Sequence, residues 1–224
     1  MVRRTHFLRS LLALAAGGLL SSTLLAADAW PSKPIRLVVP YPPGGSSDII
    51  ARSIGQLISQ ELKQTVVIDN KPGANGNLGA EFVARAPADG YTWLLCDLGA
   101  LAISPSIYTK LSFDPSKALR GAAMLAYSPH MLVVHPSVQA SNLKELVELS
   151  KKQDLNFAVT ASGSAPHLAG VELARITGAK WVYVPYKGGV QSVQDTVAGQ
   201  TQVLMNGMLA TYPHVQSGKL KLLG

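Results

Sequence analysis

The feature that most constrains this chain is a repeated alternation of short β-branched runs and amphipathic helical stretches, joined by turns dense in glycine and proline. Residues 35–39, Ile-Arg-Leu-Val-Val, end at Pro40 and the turn Tyr41-Pro42-Pro43-Gly44-Gly45. Ile50, Ile54, Leu57 and Ile58 then recur at helical spacing, which predicts a helix over 46–62. The same order continues with a strand over 65–69, a loop over 70–76, a helix over 77–85 and a strand over 92–96. Strands interleaved with helices imply a mainly parallel sheet covered on both faces, because each crossover must pack back on the sheet.

An irregular stretch over 97–127 interrupts the pattern, with Ser104-Pro105, Asp114-Pro115 and Ser128-Pro129 as breaks. The alternation restarts with strands expected over 131–135, 156–160, 181–184 and 202–206, and helices over 141–152, 165–176 and 190–198. The expected fold class is therefore α/β in two lobes, divided into a leader over 1–29, lobe one over 30–126, and lobe two with the start of a hinge return over 127–224.

The leader carries Arg3, Arg4 and Arg9 before an apolar run of fifteen residues from Leu11 to Leu25, broken by Gly17, Gly18, Ser21 and Ser22. That pattern is a secretory signal peptide, with Ala27-Asp28-Ala29 as its cleavage site, and it is too short to span a bilayer. With no cysteine near the cleavage region, the expected product is an untethered periplasmic protein. The single cysteine, Cys96, excludes an intrachain disulfide and reads as a buried thiol. The formal charge of +7 falls to +5 without the leader. The basic residues are scattered, without the aromatic interleaving of a nucleic-acid surface, so small anions are the better partners.

Three strand-to-helix turns could meet such an anion. Gly44 and Gly45 precede the first predicted helix, where a bare backbone lets a ligand approach unpaired N–H groups. The competing reading is a plain turn in which Asp48 caps the helix. Thr160-Ala161-Ser162-Gly163-Ser164 repeats the design in lobe two, with Pro166 in the first turn of the helix that follows. Tyr186-Lys187-Gly188-Gly189 is a third such turn, in which Lys187 either attracts an anion or merely solvates the surface. Over 71–79 the glycine-rich loop matches no nucleotide fingerprint and reads as a rigid connection, with ligand contact from Asn75 as the alternative. His167 reads as a packed or capping residue. His130, His135 and His214 lack metal-ligand spacing, so no metal is expected. An enzyme would need Ser162 or Ser164 as nucleophile with His167 as base, yet no G-x-S-x-G elbow surrounds either serine.

Together these motifs carry a family likeness. Pro-Ile-Arg-Leu-Val-Val-Pro-Tyr-Pro-Pro-Gly-Gly from Pro34, Asp48, Ala51-Arg52, Asn70-Lys71-Pro72-Gly73-Ala74, Ala88-Asp89-Gly90-Tyr91-Thr92, His167-Leu168-Ala169-Gly170 and Val184-Pro185-Tyr186-Lys187-Gly188-Gly189 occur in order. The chain resembles the Bug family, the TctC-like receptors of tripartite tricarboxylate transporters. The resemblance implies a two-lobed periplasmic binding protein (type II-like) that closes on a small carboxylate and presents it to transporter membrane subunits, as a monomer without catalysis and without a cofactor. A ligand-sensing receptor feeding a membrane sensor kinase is the alternative.

Carried over by position, the resemblance places Tyr41, Gly44, Gly45 and Ser46 on the ligand from lobe one, and Ser162, Gly163, Ser164 and Ala165 from lobe two. The sequence departs from the family pattern at Val159, Ala161, Met205 and Asn206. The resemblance also implies a longer chain, so lobe one is expected to be incomplete and residues 30–224 alone to fold poorly.

Overall fold

A computed structural model describes residues 29–224, and the leader lies outside them except for Ala29. Among the described residues no helix is long and apolar enough to cross a membrane.

The β-branched run expected to open the fold forms β1 (Ile35–Val39). The Pro-Gly turn releases it into α1 (Ser46–Leu62), which ends where Lys63 adopts a left-handed conformation. The chain continues through β2 (Val66–Asn70), a short 3₁₀ turn (Ala74–Gly76), α2 (Asn77–Ala84) and β3 (Thr92–Leu94). These strands form a wholly parallel sheet in the order β2-β1-β3. Leu37 and Val39 face α1 through Ala51 and Ile50, as the alternation of side chains along a strand requires.

The irregular stretch contains a π-helical turn (Gly99–Ile103) and two one-turn helices, α3 (Ser104–Ile107) and α4 (Pro115–Ala118). Asp114 caps α4 by accepting a hydrogen bond from the backbone N–H of Ser116.

The second sheet begins with β4 (His130–Val134), followed by α5 (Leu143–Ser150) and β5 (Asn156–Val159). A reciprocal cap starts α5: Asn142 accepts from the Glu145 backbone N–H, and the Glu145 carboxylate accepts from the Ser141 backbone N–H at 2.7 Å. Then come α6 (Ala165–Thr177), β6 (Val182–Pro185), α7 (Gly189–Val197), β7 (Val203–Gly207), α8 (Met208–Gln216) and β8 (Lys221–Leu222). The strand order is β6-β5-β7-β4-β8. Both sheets are parallel where crossover helices join their strands, but β4 runs antiparallel to β7 and to β8. Helix α8 was not expected, because Pro213 inside it reads as a breaker and its apolar residues keep to no single face.

Both faces of the second sheet are covered, and period-2 alternation sorts them. Leu132, Val134, Phe157, Val159 and Val203 point to one face, against Leu146 of α5 and Leu173 of α6. Met131, Val133, Ala158 and Leu204 point to the other, against Val193 of α7. Phe157 is the largest fully buried side chain, and its ring lies 5.3 Å from Trp181 and 5.6 Å from Tyr183, centroid to centroid.

The two sheets share a construction. β1 leads through α1 to β2 on one side and returns through α2 to β3 on the other; β5 does the same with β6 and β7. Each unit thereby has a switch point beside its first strand, where loops at the carboxyl ends diverge and leave a crevice.

Truncating Phe157 to Ala should cost about 3–5 kcal/mol, because a rigid aromatic cluster cannot collapse into the void. Urea unfolding of the pair checks this, and a loss under 1 kcal/mol would mean that the cluster does not anchor the second sheet.

Candidate functional site

A cavity of about 190 Å³ lies where the two switch points meet. Pro40 and Tyr41 after β1 and the 73–76 loop after β2 form one wall. Residues 160–162 after β5 and residues 185–187 at the end of β6 form the opposite wall, with Tyr108 at the side. All except Tyr108 stand at or just beyond the carboxyl end of a parallel strand, where an open α/β sheet leaves room for a ligand.

The first wall is held by Asp48. Its carboxylate is almost fully buried in the first turn of α1 and accepts four hydrogen bonds: from the Gly44 backbone N–H (2.9 Å), from Arg52 Nε (2.8 Å) and Nη2 (3.0 Å), and from Asn70 Nδ2 (2.9 Å). Asn70 Nδ2 also donates to the Tyr41 carbonyl at 3.0 Å. The end of β2, the turn after β1 and the start of α1 are thus tied at one carboxylate. Burial by itself pushes the Asp48 pKa up, but hydrogen bonds from Arg52, Gly44 and Asn70 outweigh it and hold the pKa below its ordinary value. Tyr41 is pinned again at its hydroxyl, which donates to Asp97 at 2.8 Å. Burial first, and then Asp97, push the phenol well above its usual range, so it stays protonated as a donor. Burial with Asp97 nearby also pushes the Cys96 thiol up to about 11, which leaves it unreactive at neutral pH.

The second wall is framed by the start of α6. Ser164 caps the helix, accepting from the His167 backbone N–H, while its hydroxyl donates to the Ala161 carbonyl at 2.8 Å. Nδ1 of His167 accepts from the Gly163 backbone N–H at 3.0 Å, and the ring packs edge-on to Tyr183 at 4.9 Å. Burial lowers the His167 pKa, consistent with a neutral acceptor. The imidazole is therefore committed to the backbone and the Ser164 hydroxyl to a carbonyl, so no serine–histidine dyad assembles here.

Three hydrogen-bonding contacts cross between the walls among the described residues. Asn75 is buried in a left-handed conformation (φ 55°) and donates from Nδ2 to the Gly163 carbonyl at 3.1 Å. The Tyr108 hydroxyl lies 3.5 Å from the Ser162 carbonyl. Ser46 Oγ accepts from the Ala210 backbone N–H at 3.2 Å, providing the cap that Gly207 cannot give α8.

The residues read from the sequence divide accordingly. Tyr41 and Ser162 line the cavity. Gly44 spends its N–H on Asp48, Gly45 is the bare N-cap of α1, and Ser46 is engaged with α8. Gly163 is bonded through both N–H and C=O, Ser164 caps α6, and Ala165 opens that helix. Asn75 and Lys187, for which a structural reading was preferred, both line the cavity. Tyr108 was missed, since it follows a one-turn helix in the aperiodic stretch and carries no motif.

The family model described as "Tripartite tricarboxylate transporter family receptor" (TctC) matches residues 50–224. A UPF0065 protein of Bordetella bronchiseptica is 35% identical over 99% of this chain and 68% of its own length. A structure described as a periplasmic transporter superposes with a TM-score of 0.85 at 37% identity, covering 88% of this chain and 66% of that one. An R. palustris protein with adipate gives 0.85 at 31% identity, covering 87% and 66%. MatC from Rhodopseudomonas palustris with bound malate gives 0.80 at 29% identity, covering 86% and 66%. The chain spans about two thirds of the length of these proteins.

Replacing Asp48 with Ala orphans the Gly44 N–H, takes one of two acceptors from the Asn70 amide and should cost about 2–4 kcal/mol. Arg52→Ala should cost much less, because the guanidinium is 56% exposed and water replaces it. The Asp48 contribution is present in full above the ordinary carboxylate value of 3.8 and disappears as pH falls through the lowered folded-state value. Stability curves of wild type and Asp48→Ala, measured by urea unfolding against pH, should therefore converge in acid. Parallel curves would remove Asp48 from its assigned role.

Proposed function

The chain belongs to the tripartite tricarboxylate transporter receptor family, and on that premise we propose that it is a periplasmic solute-binding protein that captures a small organic carboxylate and delivers it to transporter membrane subunits. The observation that carries this reading is the cavity's charge. Lys187 is the one cationic side chain among the lining residues, no carboxylate lines the cavity, and the ammonium has no ion-pair partner among the described residues. An anion entering there gains a partner and meets no like charge.

Several further features support the proposal. Adipate and malate occupy the R. palustris relatives. The arginine-led apolar leader and its Ala-Asp-Ala site suit export to the periplasm. In this reading the lobes divide near residue 127, and closure brings Lys187, Thr160 and Ser162 to the ligand from one side and Tyr41 and Asn75 from the other. Gly44, Gly45, Ser46, Gly163, Ser164 and Ala165 frame the two loops. Water excluded on closure strengthens each hydrogen bond to the carboxylate.

A thermal melt of the protein against small mono- and dicarboxylates tests the proposal. A ligand at one hundred times its Kd adds about 2.7 kcal/mol. For a chain of this size that raises Tm by roughly 5–10 °C. A cooperative melt unmoved by every carboxylate would overturn it.

A further inference from the structure

Two peptide units of the loop between β5 and α6 are held on the side that faces the helix. The Ala161 carbonyl accepts from the Ser164 hydroxyl at 2.8 Å and from the Ser164 backbone N–H at 3.2 Å. In a trans peptide the N–H points opposite to the carbonyl, so the Ser162 N–H is turned away from the start of α6. That N–H makes no hydrogen bond among the described residues, and Ser162 lines the cavity. In the next peptide the Gly163 N–H donates to Nδ1 of His167 at 3.0 Å. The same planarity sends the Ser162 carbonyl the other way, to 3.5 Å from the Tyr108 hydroxyl. Gly163 itself sits at φ 75°, and its carbonyl accepts from Asn75 of the facing wall at 3.1 Å.

Of these attachments, the one at His167 depends on a proton. Nδ1 accepts there, so the ring is neutral and carries its proton on Nε2. A second proton would set two N–H donors against each other. Gly163 is buried, so its N–H would lose an acceptor that water does not readily replace. From β6 the group facing the imidazole is Tyr183, edge-on at 4.9 Å, a phenol that burial pushes up and that stays neutral. No carboxylate, lysine or arginine among the described residues forms an ion pair with His167. Burial lowers its pKa below the ordinary value of 6.5, so the hydrogen bond is complete at neutral pH and is lost as pH falls through the lowered value.

We propose that His167 is a positioning residue for the cavity: its unprotonated Nδ1 holds the Ser162–Gly163 peptide in place, and protonation in mild acid releases that peptide and weakens the hold on a carboxylate. The inference rests on the carboxylate-receptor reading and adds a pH dependence to it. His167 touches no ligand in this role. It acts through the loop that carries Ser162 to the cavity and Gly163 to Asn75.

NMR of the uniformly ¹⁵N-labelled chain tests the geometry without a ligand or a variant. At neutral pH the His167 ring should show a bare Nδ1 and a protonated Nε2. On acidification the Gly163 amide resonance should move with the same midpoint as the ring, below 6.5. A ring protonated at Nδ1, or a Gly163 amide that ignores the ring's titration, would overturn the assignment. Titration calorimetry with malate, adipate and benzoate tests the consequence. His167→Phe keeps a ring against Tyr183 without the acceptor and should weaken binding about 10-fold at neutral pH. His167→Asn offers an acceptor oxygen that does not titrate and should bind within about 3-fold of wild type there. At about pH 5 wild type should fall about 10-fold behind His167→Asn, a comparison in which the ligand's own ionisation cancels. Parallel pH profiles for wild type and His167→Asn, or wild-type binding by His167→Phe, would overturn the positioning role and leave the receptor reading standing. Heat from none of the three acids, in a sample that melts cooperatively, would overturn the receptor reading and the effect on affinity, while an amide that titrates with the ring would still uphold the hold on the peptide.

Discussion

Everything on the first wall of the cavity depends on one buried carboxylate. Asp48 gathers the Gly44 N–H, the Asn70 amide and the Arg52 guanidinium. Without those donors a charge at that depth would be too costly to keep. With them, three segments distant in sequence acquire a common reference point: the turn after β1, the end of β2 and the first turn of α1. Its negative charge sits at the positive end of the helix dipole and takes the Gly44 N–H just ahead of the N-cap. The cavity lies one loop over, between Tyr41, Asn75 and the second sheet.

That displacement follows from the topology. Two units with the same 2-1-3 strand order face each other through the carboxyl ends of their strands. Each unit brings a crevice, but the crevices are lined differently. The first contributes backbone, Tyr41 and the buried Asn75, held by hydrogen bonds at both ends. The second contributes Thr160, Ser162 and Lys187, whose side-chain polar groups make no hydrogen bond among the described residues. One side is a preformed wall and the other carries the groups open to a ligand, so closure would match a rigid apolar surface to a polar one. The hydrogen-bonding contacts joining the sides are few among the described residues. They are the Asn75 amide on the Gly163 carbonyl and the Ser46 hydroxyl capping α8, with the Tyr108 hydroxyl near the Ser162 carbonyl.

Much of this was legible in the sequence. β-branched runs such as Ile35 to Val39 and the helical recurrence of Ile50, Ile54, Leu57 and Ile58 determined the elements, because side-chain shape and spacing follow the geometry of the backbone. Asp48, three residues after the bare N-cap Gly45, was readable as a cap, and so was Ser164 ahead of Pro166. The ordered turn motifs determined the family. Helix α8 was not legible, since Pro213 argues against a helix locally, while packing beside β4 and β7 and a cap from Ser46 sustain it.

What only the tertiary structure decided is which of the candidate residues share a space. Asn75 and Lys187 read as loop and surface residues because nothing in their own neighbourhood distinguishes a solvated side chain from one turned into a cleft. Tyr108 had no periodicity to place it. Gly44 and Ser46 looked available until the fold showed their N–H and hydroxyl engaged by Asp48 and α8. Local pattern determines which way a side chain leaves its own helix or strand. What it meets there depends on segments about a hundred residues away, such as the 88 between Asn75 and Gly163, and on how two separately wound sheets are brought together.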